Sequence, residues 1–453
     1  MIRLYNTASR KVEEFKPLDE VVRIYTCGPT VYGFQHIGNY AAYIYWDLLI
    51  RALKLNGFPV KRVLNFTDVG HLTSDGDSGE DKLEKGAKRE GKTVYEIAKF
   101  YGDDFLRNFR ALGLTEPDLI AHATDYVEAD MKAVDEMTKN GFTYETTDGV
   151  YFDTAKFEDY AKFAHLDLTG LQAGARVDFS GEKRNASDFA VWKFIQPGEK
   201  HAMRWDYLGR PGYPGWHLEC STIIHEELGE PIDIHTGGID HIPVHHTNEI
   251  AQSYALSKRS LAKYWLHCNF ITIDGEKVSK SLGNIYTIDD LAARGFSAMD
   301  YKMWVLSGHY QGTRNFTFDS LEAAKQRRLN WRNRIAELYQ GLDGLQAASE
   351  KKADFAEILD TVGNNLGSPE AFSIIDGSVL DMDDWKKIDE LFGLDLIKDS
   401  PDLSKDIVRM IDERNTARSQ KDFKTADRIR DELLEKNVVL KDTPDGTIWQ
   451  YQK

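Results

Sequence analysis

The stretch from residue 21 to residue 53 constrains the fold of this chain more than any other. An apolar run at residues 21–24 predicts a short buried strand, and the glycine-free apolar segment 40–53 predicts a helix. Gly28 and Gly38 in the connecting loop let a ligand approach the backbone closely. A strand, such a loop and a helix N-terminus form a cradle for an anion, because free N–H groups and the helix dipole point outward. Cys27 and His36 add a thiol and an imidazole to this cradle.

A second predicted strand, residues 60–66, follows the helix. Strand, helix and strand begin a doubly wound parallel sheet, which binds ligands at the carboxyl ends of its strands. Cys27 and the pair Thr67-Asp68 are therefore expected at one edge of that sheet. The charged, glycine-rich segment 72–92 predicts a polar loop.

The remainder of the chain changes character twice. Residues 142–215 predict an insertion of short strands and turns, with strands at 149–153, 170–178 and 189–192 and a turn-rich end at 209–215. The α/β pattern returns with a strand at 232–235. Further predicted helices are 94–112, 123–140, 318–346, 350–363, 383–392, 403–418 and 422–436, with linkers at 367–369 and 399–401 and a last strand at 438–440.

Composition narrows the class of protein. No apolar run among the 453 residues approaches the roughly 18–20 needed to span a bilayer, and the N-terminus lacks a signal-like apolar region. We therefore expect a cytoplasmic protein with no membrane partner. Three cysteines exclude a disulfide scaffold. The net charge of −16 argues against nucleic acid as a partner, although the basic run 325–334 is either a phosphate-binding helix or a solvated helix face.

Two groups of residues carry chemistry. Cys27, Cys220, His245 and Glu249 form an N/O/S set that suits zinc, and the last two share one helix face. Because no local Cys-x-x-Cys pair occurs, two buried cysteines and a helical His–Glu pair stay an open alternative. The sequence Lys-Val-Ser-Lys-Ser at residues 277–281 suits a developing negative charge on phosphate, or else is a solvated surface loop.

In combination these motifs resemble a known family. His-Ile-Gly-Asn at residues 36–39, followed by Lys-Val-Ser-Lys-Ser, resembles the two signatures of class I aminoacyl-tRNA synthetases. Five further segments are similar to those of cysteinyl-tRNA synthetases, at residues 25–32, 65–68, 215–220, 233–238 and 245–249. The resemblance runs nearly end to end, from residues 2–6 to residues 446–449.

The resemblance implies a two-step reaction in which ATP activates L-cysteine to cysteinyl-adenylate and the 3′-terminal ribose of tRNA(Cys) accepts it. It implies one zinc ion held by Cys27, Cys220, His245 and Glu249 that selects the thiol over a hydroxyl, and Mg²⁺ with ATP. It implies catalytic roles for His36, Lys277 and Lys280. The ATP-binding residues that it implies are Gly28, Thr30, His36, Gly38, Asn39, Lys277 and Lys280. Those around the substrate cysteine are Thr67, Trp216, His235 and Asp240, and those at the anticodon are Arg418, Asp427 and Asp442.

The expected fold is α/β, a Rossmann-like doubly wound parallel sheet with an inserted α+β subdomain, followed by a helical bundle and a small C-terminal domain. The expected boundaries are 1–115 and 216–317 for the two halves of the catalytic domain, 116–215 for the insertion, 318–398 for the bundle and 399–453 for an anticodon-binding domain. A monomer is expected.

Two signature positions depart from the family pattern, since Asn39 replaces His and Val278 replaces Met. A cysteine–amino-sugar ligase of the same superfamily and a non-catalytic RNA-binding paralogue are the competing interpretations. Glu249 and the synthetase-like segments of residues 400–453 favour tRNA over the sugar.

Overall fold

The computed structural model describes residues 1–69, 82–166, 182–199, 201–279, 283–342, 353–444 and 446–452. Its helices are α1 (Ile37–Leu55), α2 (Lys82–Glu90), α3 (Val94–Ala111), α4 (Val127–Lys139), α5 (Trp216–Glu227), α6 (Thr247–Ser257), α7 (Ile288–Ala293), α8 (Ala298–Leu306), α9 (Phe318–Tyr339), α10 (Phe355–Gly363), α11 (Ser368–Asp376), α12 (Met382–Phe392), α13 (Lys405–Ser419) and α14 (Phe423–Glu435). Its strands are β1 (Arg3–Asn6), β2 (Lys11–Glu14), β3 (Val22–Thr26), β4 (Val60–Phe66), β5 (Leu119–His122), β6 (Thr143–Glu145), β7 (Gly149–Phe152), β8 (Phe189–Phe194), β9 (Trp205–Tyr207), β10 (Arg210–Pro214), β11 (Ile232–Gly238), β12 (Ala262–Cys268), β13 (Ile271–Ile273), β14 (Glu276–Lys277), β15 (Arg314–Phe316), β16 (Val438–Thr443) and β17 (Gly446–Tyr451).

A five-stranded parallel sheet organises the first part of the chain, in the order β12-β11-β3-β4-β5. Most side chains of β3 and β4 are buried, as expected when helices cover both faces. The chain winds outward from β3 to β5 and then returns to the other side of β3 with β11. The topological switch point, where such sheets bind ligands, therefore lies between β3 and β11. The predicted doubly wound sheet is confirmed, and β4 has its predicted bounds.

Helix α1 is apolar on nearly all sides, and it is correspondingly buried over most of its length. It begins after His36, whose backbone is extended and whose N–H donates to Oδ1 of Asn39 over 3.1 Å. This side-chain cap fixes the residue at which the loop ends and the helix starts. The departure of Asn39 from the family pattern thus has a local structural role.

The insertion is an α+β unit, as predicted. It consists of α4 and the antiparallel sheet β6-β7-β8-β10-β9, and its core packs against Leu218 of α5 and Ala251 of α6. The prediction of turns over 209–215 was wrong, because the turn occurs at Leu208 and Gly209, which have positive φ, and β10 follows it. Predicted strands 149–153 and 189–192 correspond to β7 and β8, whereas 170–178 lies outside the described residues.

Helices α9 to α12 form the predicted bundle, with an aromatic core in which Trp331 and Phe372 lie 4.9 Å apart between ring centroids. The helical pair α13 and α14 and the β16-β17 hairpin pack on Leu329 and Ala336 of α9. The linker predicted at residues 367–369 was wrong. Gly367 is the N-cap of α11 and Pro369 lies in its first turn, where a missing N–H is tolerated.

Two other predictions need correction. Residues 82–90 of the predicted polar loop 72–92 form helix α2, and residues 70–81 lie outside the described residues. The helix predicted over 318–346 ends at Tyr339, before Gly341 with positive φ, and that predicted over 350–363 is described only from residue 353. Among the described residues, no helix is long and apolar enough to cross a bilayer.

Three of the four arginines in the basic run bind backbone oxygen atoms of the protein itself. Arg328 donates to the carbonyl oxygen of Leu394 over 3.1 Å and pairs with Asp399. Arg332 donates to the carbonyl oxygen of Asp399 over 3.1 Å, and Arg334 to that of Ile375 over 2.7 Å. These contacts hold the end of α11 and the segment that follows α12 against α9. For these three side chains the solvated helix face was a wrong interpretation, whereas phosphate binding by the run stays a prediction.

Candidate metal centre and nucleotide cradle

Four separate segments bring the predicted metal ligands together at the switch point. Cys27 follows β3, Cys220 lies in α5, His245 lies in a π-helical turn at Ile242–His246, and Glu249 lies in the first turn of α6. One donor atom from each lies within 4.8 Å of those of the other three. Such a turn is frequent at functional sites, because it redirects side chains within a helix.

The donors suit a divalent cation. Oε1 of Glu249 lies 2.8 Å from Nε2 of His245, yet within the described part of the chain this buried oxygen accepts no well-aligned hydrogen bond. Both atoms are thus close together without the alignment of a donor and an acceptor, which is the arrangement expected when both point to a cation. Two thiols, an imidazole and a carboxylate are ligands that zinc accepts.

The two thiols differ electrostatically. Burial alone would raise the pKa of Cys27, but the hydrogen bond with Cys220 and the nearby charge of His246 bring that pKa well below its ordinary value. Burial and the same hydrogen bond raise the pKa of Cys220 well above its ordinary value. Cys27 thus favours the thiolate form while Cys220 stays protonated. A cation between the two sulfur atoms would stabilise both thiolates.

Two histidines orient the ligands. His235 is fully buried, and its Nε2 lies 2.7 Å from Oε2 of Glu249. Nδ1 of His217 lies 2.9 Å from Nδ1 of His245, which leaves Nε2 of His245 for the cation. Contacts of this kind fix the rotamer and tautomer of metal ligands. The sequence analysis missed His217, although it stands next to Trp216 in a segment that had been singled out.

A second donor set overlaps the first. Cys27, His235, His246 and Glu249 also place one donor atom each within 4.8 Å. His246 is bound on its other nitrogen, since Nδ1 lies 2.8 Å from Nε2 of His267. The two sets share Cys27 and Glu249, and they differ in whether Cys220 and His245 or His235 and His246 complete the site.

Of the remaining predicted substrate residues, Trp216 contacts this cluster directly. The ring of Trp216 is 4.7 Å from that of His245 between centroids. The hydroxyl of Thr67, at the end of β4, donates to Oε1 of Glu219, a residue that the sequence analysis did not select. Asp240 is exposed in the turn after β11.

The candidate nucleotide cradle begins in the same loop as Cys27. A Cβ atom at Gly38 would lie 2.9 Å from Cε1 of His36, so glycine leaves room for the imidazole at the helix start. A Cβ at Gly28 would lie 1.5 Å from the carbonyl oxygen of Asn65, so this glycine is required by the backbone of β4. Thr30 pairs with Thr67 in an isolated parallel bridge, which carries the loop alongside the end of β4.

The segment that follows the second signature contacts the first signature. The N–H of Ile37, the first residue of α1, donates to the carbonyl oxygen of Tyr286 over 2.8 Å. Lys277 is exposed at the end of β14. Asn284 connects the two sides of the loop, since it accepts from the N–H of Ser279 over 2.8 Å and donates to the carbonyl oxygen of Lys277 over 3.1 Å. Lys280 lies outside the described residues.

The three predicted anticodon residues lie in the C-terminal segment. Asp442 of β16 accepts from Arg414 over 2.6 and 2.9 Å and pairs with Arg418. These contacts, foremost the hydrogen bond from Arg414, hold the pKa of Asp442 well below its usual range. Asp427 lies on α14, 3.3 Å from Arg430. The sequence analysis did not select Arg414, which is almost fully buried.

Comparison with known proteins agrees with this arrangement. The family described as the tRNA synthetases class I (C) catalytic domain matches residues 14–326, and the cysteinyl-tRNA ligase anticodon binding domain matches residues 400–449. A solved structure of Mycobacterium tuberculosis methionyl-tRNA synthetase in complex with methionyl-adenylate has a TM-score of 0.57, covering 88% of this chain and 84% of that one. At 15% identity this likeness shows the class I fold alone.

Sequence relatives match over nearly the whole length. The cysteine–tRNA ligase of Treponema denticola is 37% identical over 99% of this chain and 99% of its own. Cysteine–tRNA ligase 1 of Burkholderia lata is 41% identical over 98% of this chain and 96% of its own. The chain therefore belongs to the cysteine–tRNA ligases, a family of class I aminoacyl-tRNA synthetases.

Proposed function

We propose that this protein activates L-cysteine with ATP and transfers the cysteinyl group to the 3′-terminal ribose of tRNA(Cys). One observation carries the proposal. A single loop after β3 supplies both a ligand of the buried Cys/His/Glu cluster, Cys27, and the imidazole at the start of α1, His36. This arrangement brings a site for a thiol and a site for phosphates to the same strand end.

The four-donor set of Cys27, Cys220, His245 and Glu249 would hold zinc. When bound, zinc supplies a Lewis acid that keeps the substrate thiol deprotonated and rejects serine, whose hydroxyl is a poor ligand for it. Trp216 would pack against the bound amino acid beside His245. With the thiol end fixed, the carboxylate of cysteine is left to attack ATP.

ATP, with Mg²⁺, would occupy the cradle at the start of α1. His36, Asn39 and the helix N-terminus would bind its phosphates, and Gly28, Thr30 and Gly38 would allow close approach. Lys277 and Lys280 would stabilise the negative charge that develops as the cysteine carboxylate attacks the α-phosphate. Little covalent chemistry is required of these side chains, so positioning and charge stabilisation would supply the rate.

The tRNA would contact two regions. Its acceptor end would enter between the catalytic halves, 1–115 and 216–317, beside the insertion 116–215. Its anticodon would meet Arg418, Asp427 and Asp442 in the domain 399–453, beyond the bundle 318–398. Such side chains can pair with the edges of splayed bases. We further propose a cytoplasmic monomer.

Pyrophosphate exchange tests the proposal. The full-length protein should exchange pyrophosphate into ATP when cysteine is added, should not do so with serine, and should then charge tRNA(Cys). Exchange without charging would instead support a cysteine–amino-sugar ligase. Absence of exchange would support a non-catalytic RNA-binding paralogue.

Gly38→Ala is expected to impair ATP use. The new Cβ would lie 2.9 and 3.0 Å from two atoms of the His36 ring, so the imidazole must rotate away from the cradle. Losing one hydrogen bond to a charged phosphate should raise the KM for ATP by about 10- to 100-fold. Gly33→Ala is the matched control in the same loop, because nothing lies within 4 Å of its added Cβ. An unchanged KM for ATP in Gly38→Ala would contradict the role of His36.

Arg418→Ala is expected to separate the two steps. Cysteine-dependent exchange should be unchanged, whereas the KM for tRNA(Cys) in charging should rise about 10-fold, as for loss of a base-reading arginine. Arg409→Ala is the control, because Arg409 lies on the same helix and pairs with Asp406 and Glu413 of that helix. Equal charging by both variants would remove Arg418 from the proposed anticodon site.

A further inference from the structure

A directed chain of hydrogen bonds connects the two cysteine ligands of the candidate metal centre. The N–H of Gly28, next to Cys27, donates to Oδ1 of Asn65 over 2.8 Å. Nδ2 of Asn65 lies 3.3 Å from Oγ1 of Thr67. The hydroxyl of Thr67 in turn donates to Oε1 of Glu219, the residue before Cys220. Asn65, Thr67 and Glu219 are all at least 96% buried.

The direction of this chain is fixed by chemistry. A backbone N–H can only donate, so the amide oxygen of Asn65 must face Gly28 and its NH₂ group must face Thr67. Oγ1 of Thr67 therefore accepts from Asn65, and its single proton goes to Oε1 of Glu219. Burial raises the pKa of Glu219 to about 8, and Oε1 accepts this hydrogen bond both as a carboxylate oxygen and as the carbonyl oxygen of the neutral acid. The backbone groups of Thr67 are also hydrogen-bonded. Its N–H donates to the carbonyl oxygen of Pro29 over 3.1 Å, and its carbonyl oxygen accepts from the N–H of Val31 over 3.3 Å.

One lone pair on Oγ1 is thus what Thr67 has left to offer a ligand, and it can only accept a hydrogen bond. Zwitterionic cysteine held through its thiolate has one group that can donate, its ammonium. We propose that Glu219 is a positioning residue for the amino group of cysteine. Because it accepts the hydrogen bond of the Thr67 hydroxyl, Oγ1 of Thr67 remains an acceptor for that ammonium. This inference rests on the proposed function, because it takes cysteine as the ligand of this site.

Without the carboxylate, the Thr67 proton would turn toward the ligand and oppose its ammonium. Glu219→Leu, which is similar in volume and has no acceptor, should therefore weaken cysteine binding. The expected rise in Kd is about 10- to 100-fold, as for the loss of a hydrogen bond to a charged group. Glu219→Gln keeps an acceptor oxygen and should restore the Kd to within a few-fold of the original.

The experiment measures binding to the metal-loaded, full-length protein by calorimetry, for L-cysteine and for 3-mercaptopropionate, which has the thiol and carboxylate but no amino group. The expected result is that Glu219→Leu weakens binding of cysteine alone, with the metal content and the KM for ATP unchanged. An equal loss for both ligands would show general damage to the site and overturn the inference, as would unchanged cysteine binding. If Glu219→Leu fails to fold or loses its metal, the same binding measurements with both ligands are made on Glu219→Met, and the same results support or overturn the inference.

The two proposals fail in distinguishable ways. If the original protein binds cysteine but does not support pyrophosphate exchange, the proposed function fails while the role of Glu219 is still decided by the binding data. If exchange is normal and Glu219→Leu binds cysteine as well as the original protein, the proposed function stands and the role of Glu219 is excluded. A protein that does not bind cysteine overturns both.

Discussion

Cys220→Ser is expected to remove the bound metal and to lower cysteine activation by about 100-fold or more. A neutral hydroxyl is a poor ligand for zinc, and substitutions of residues that only orient metal ligands already cost 10- to 100-fold in affinity or activity. Metal content per chain and cysteine-dependent pyrophosphate exchange measure the two effects. They should fall together, because in the proposed function one cation would both connect the four ligands and bind the thiol of the substrate.

Cys268→Ser provides the matched control. Cys268 is also buried, but its Sγ donates to the carbonyl oxygen of Asn269 and it does not belong to the cluster. Burial raises its pKa to about 12, so it remains a thiol rather than a thiolate ligand. This variant should keep its metal and its exchange activity.

The same pair of measurements separates the two overlapping donor sets. Cys220→Ser removes a ligand of the first set only, and His246→Ala removes a ligand of the second set only. Loss of metal in Cys220→Ser alone would assign Cys27, Cys220, His245 and Glu249. Normal metal content and exchange in Cys220→Ser, with loss in His246→Ala, would contradict the four-ligand set proposed above.

The sequence predicted the local elements of the sheet well where one physical signal dominated. Strand Val60–Phe66 was predicted with its correct bounds because a segment rich in β-branched and aromatic residues is followed at once by Thr67 and Asp68. The order of elements then placed Cys27 and Thr67 at one edge of the sheet. Parallel strands require this, whatever the details of packing.

Composition could not show what a charged or turn-forming residue contacts. Arg328, Arg332 and Arg334 occur as a basic run, yet each binds a carbonyl oxygen that is more than 40 residues away in sequence. Pro369 predicts a break in a chain, but it also suits the first turn of a helix. Only the neighbouring segments decide between these outcomes.

The orienting residues of the site were missed for a related reason. Glu219 and His217 lie in a segment that was singled out for Trp216 and Cys220. Their roles depend on which side chains of β4 and of the π-helical turn lie opposite α5. Spacing within a single helix does not carry that information, whereas the packed structure does.

Asp47→Asn is expected to destabilise the protein by about 3–5 kcal/mol, the usual cost of breaking a buried ion pair by removing one partner. Asp47 of α1 is fully buried and lies 2.9 Å from Nζ of Lys302, which is also fully buried. It also binds Arg51 over 2.8 Å and the N–H of Thr115 over 2.8 Å. Arg51 also donates to the carbonyl oxygen of Glu390 in α12 over 2.7 Å. The carboxylate of Asp47 therefore connects α1, through Arg51, to the helical bundle.

The effect should depend on pH in a defined direction. Burial alone would raise the pKa of Asp47, but the charges of Lys302 and Arg51 bring it well below its usual range. A carboxyl group with a lowered pKa in the folded state stabilises that state above its unfolded pKa of about 3.9. The difference in unfolding free energy between the original protein and Asp47→Asn should thus be full at pH 7. Below about pH 4 it should shrink by about 1.4 kcal/mol per pH unit.

Urea unfolding of the original protein and of Asp47→Asn, at pH 7 and at pH 3.5, measures this difference in unfolding free energy. Asp103→Asn is the control. Asp103 also pairs with a lysine, Lys99, over 2.8 Å, but both side chains are largely exposed. Its substitution should change stability by less than about 0.5 kcal/mol, because solvent screens a surface pair. A loss in Asp47→Asn as small as that of the control would mean that Lys302 finds another partner. A loss independent of pH would mean that packing, rather than the charge of Asp47, joins α1 to the bundle.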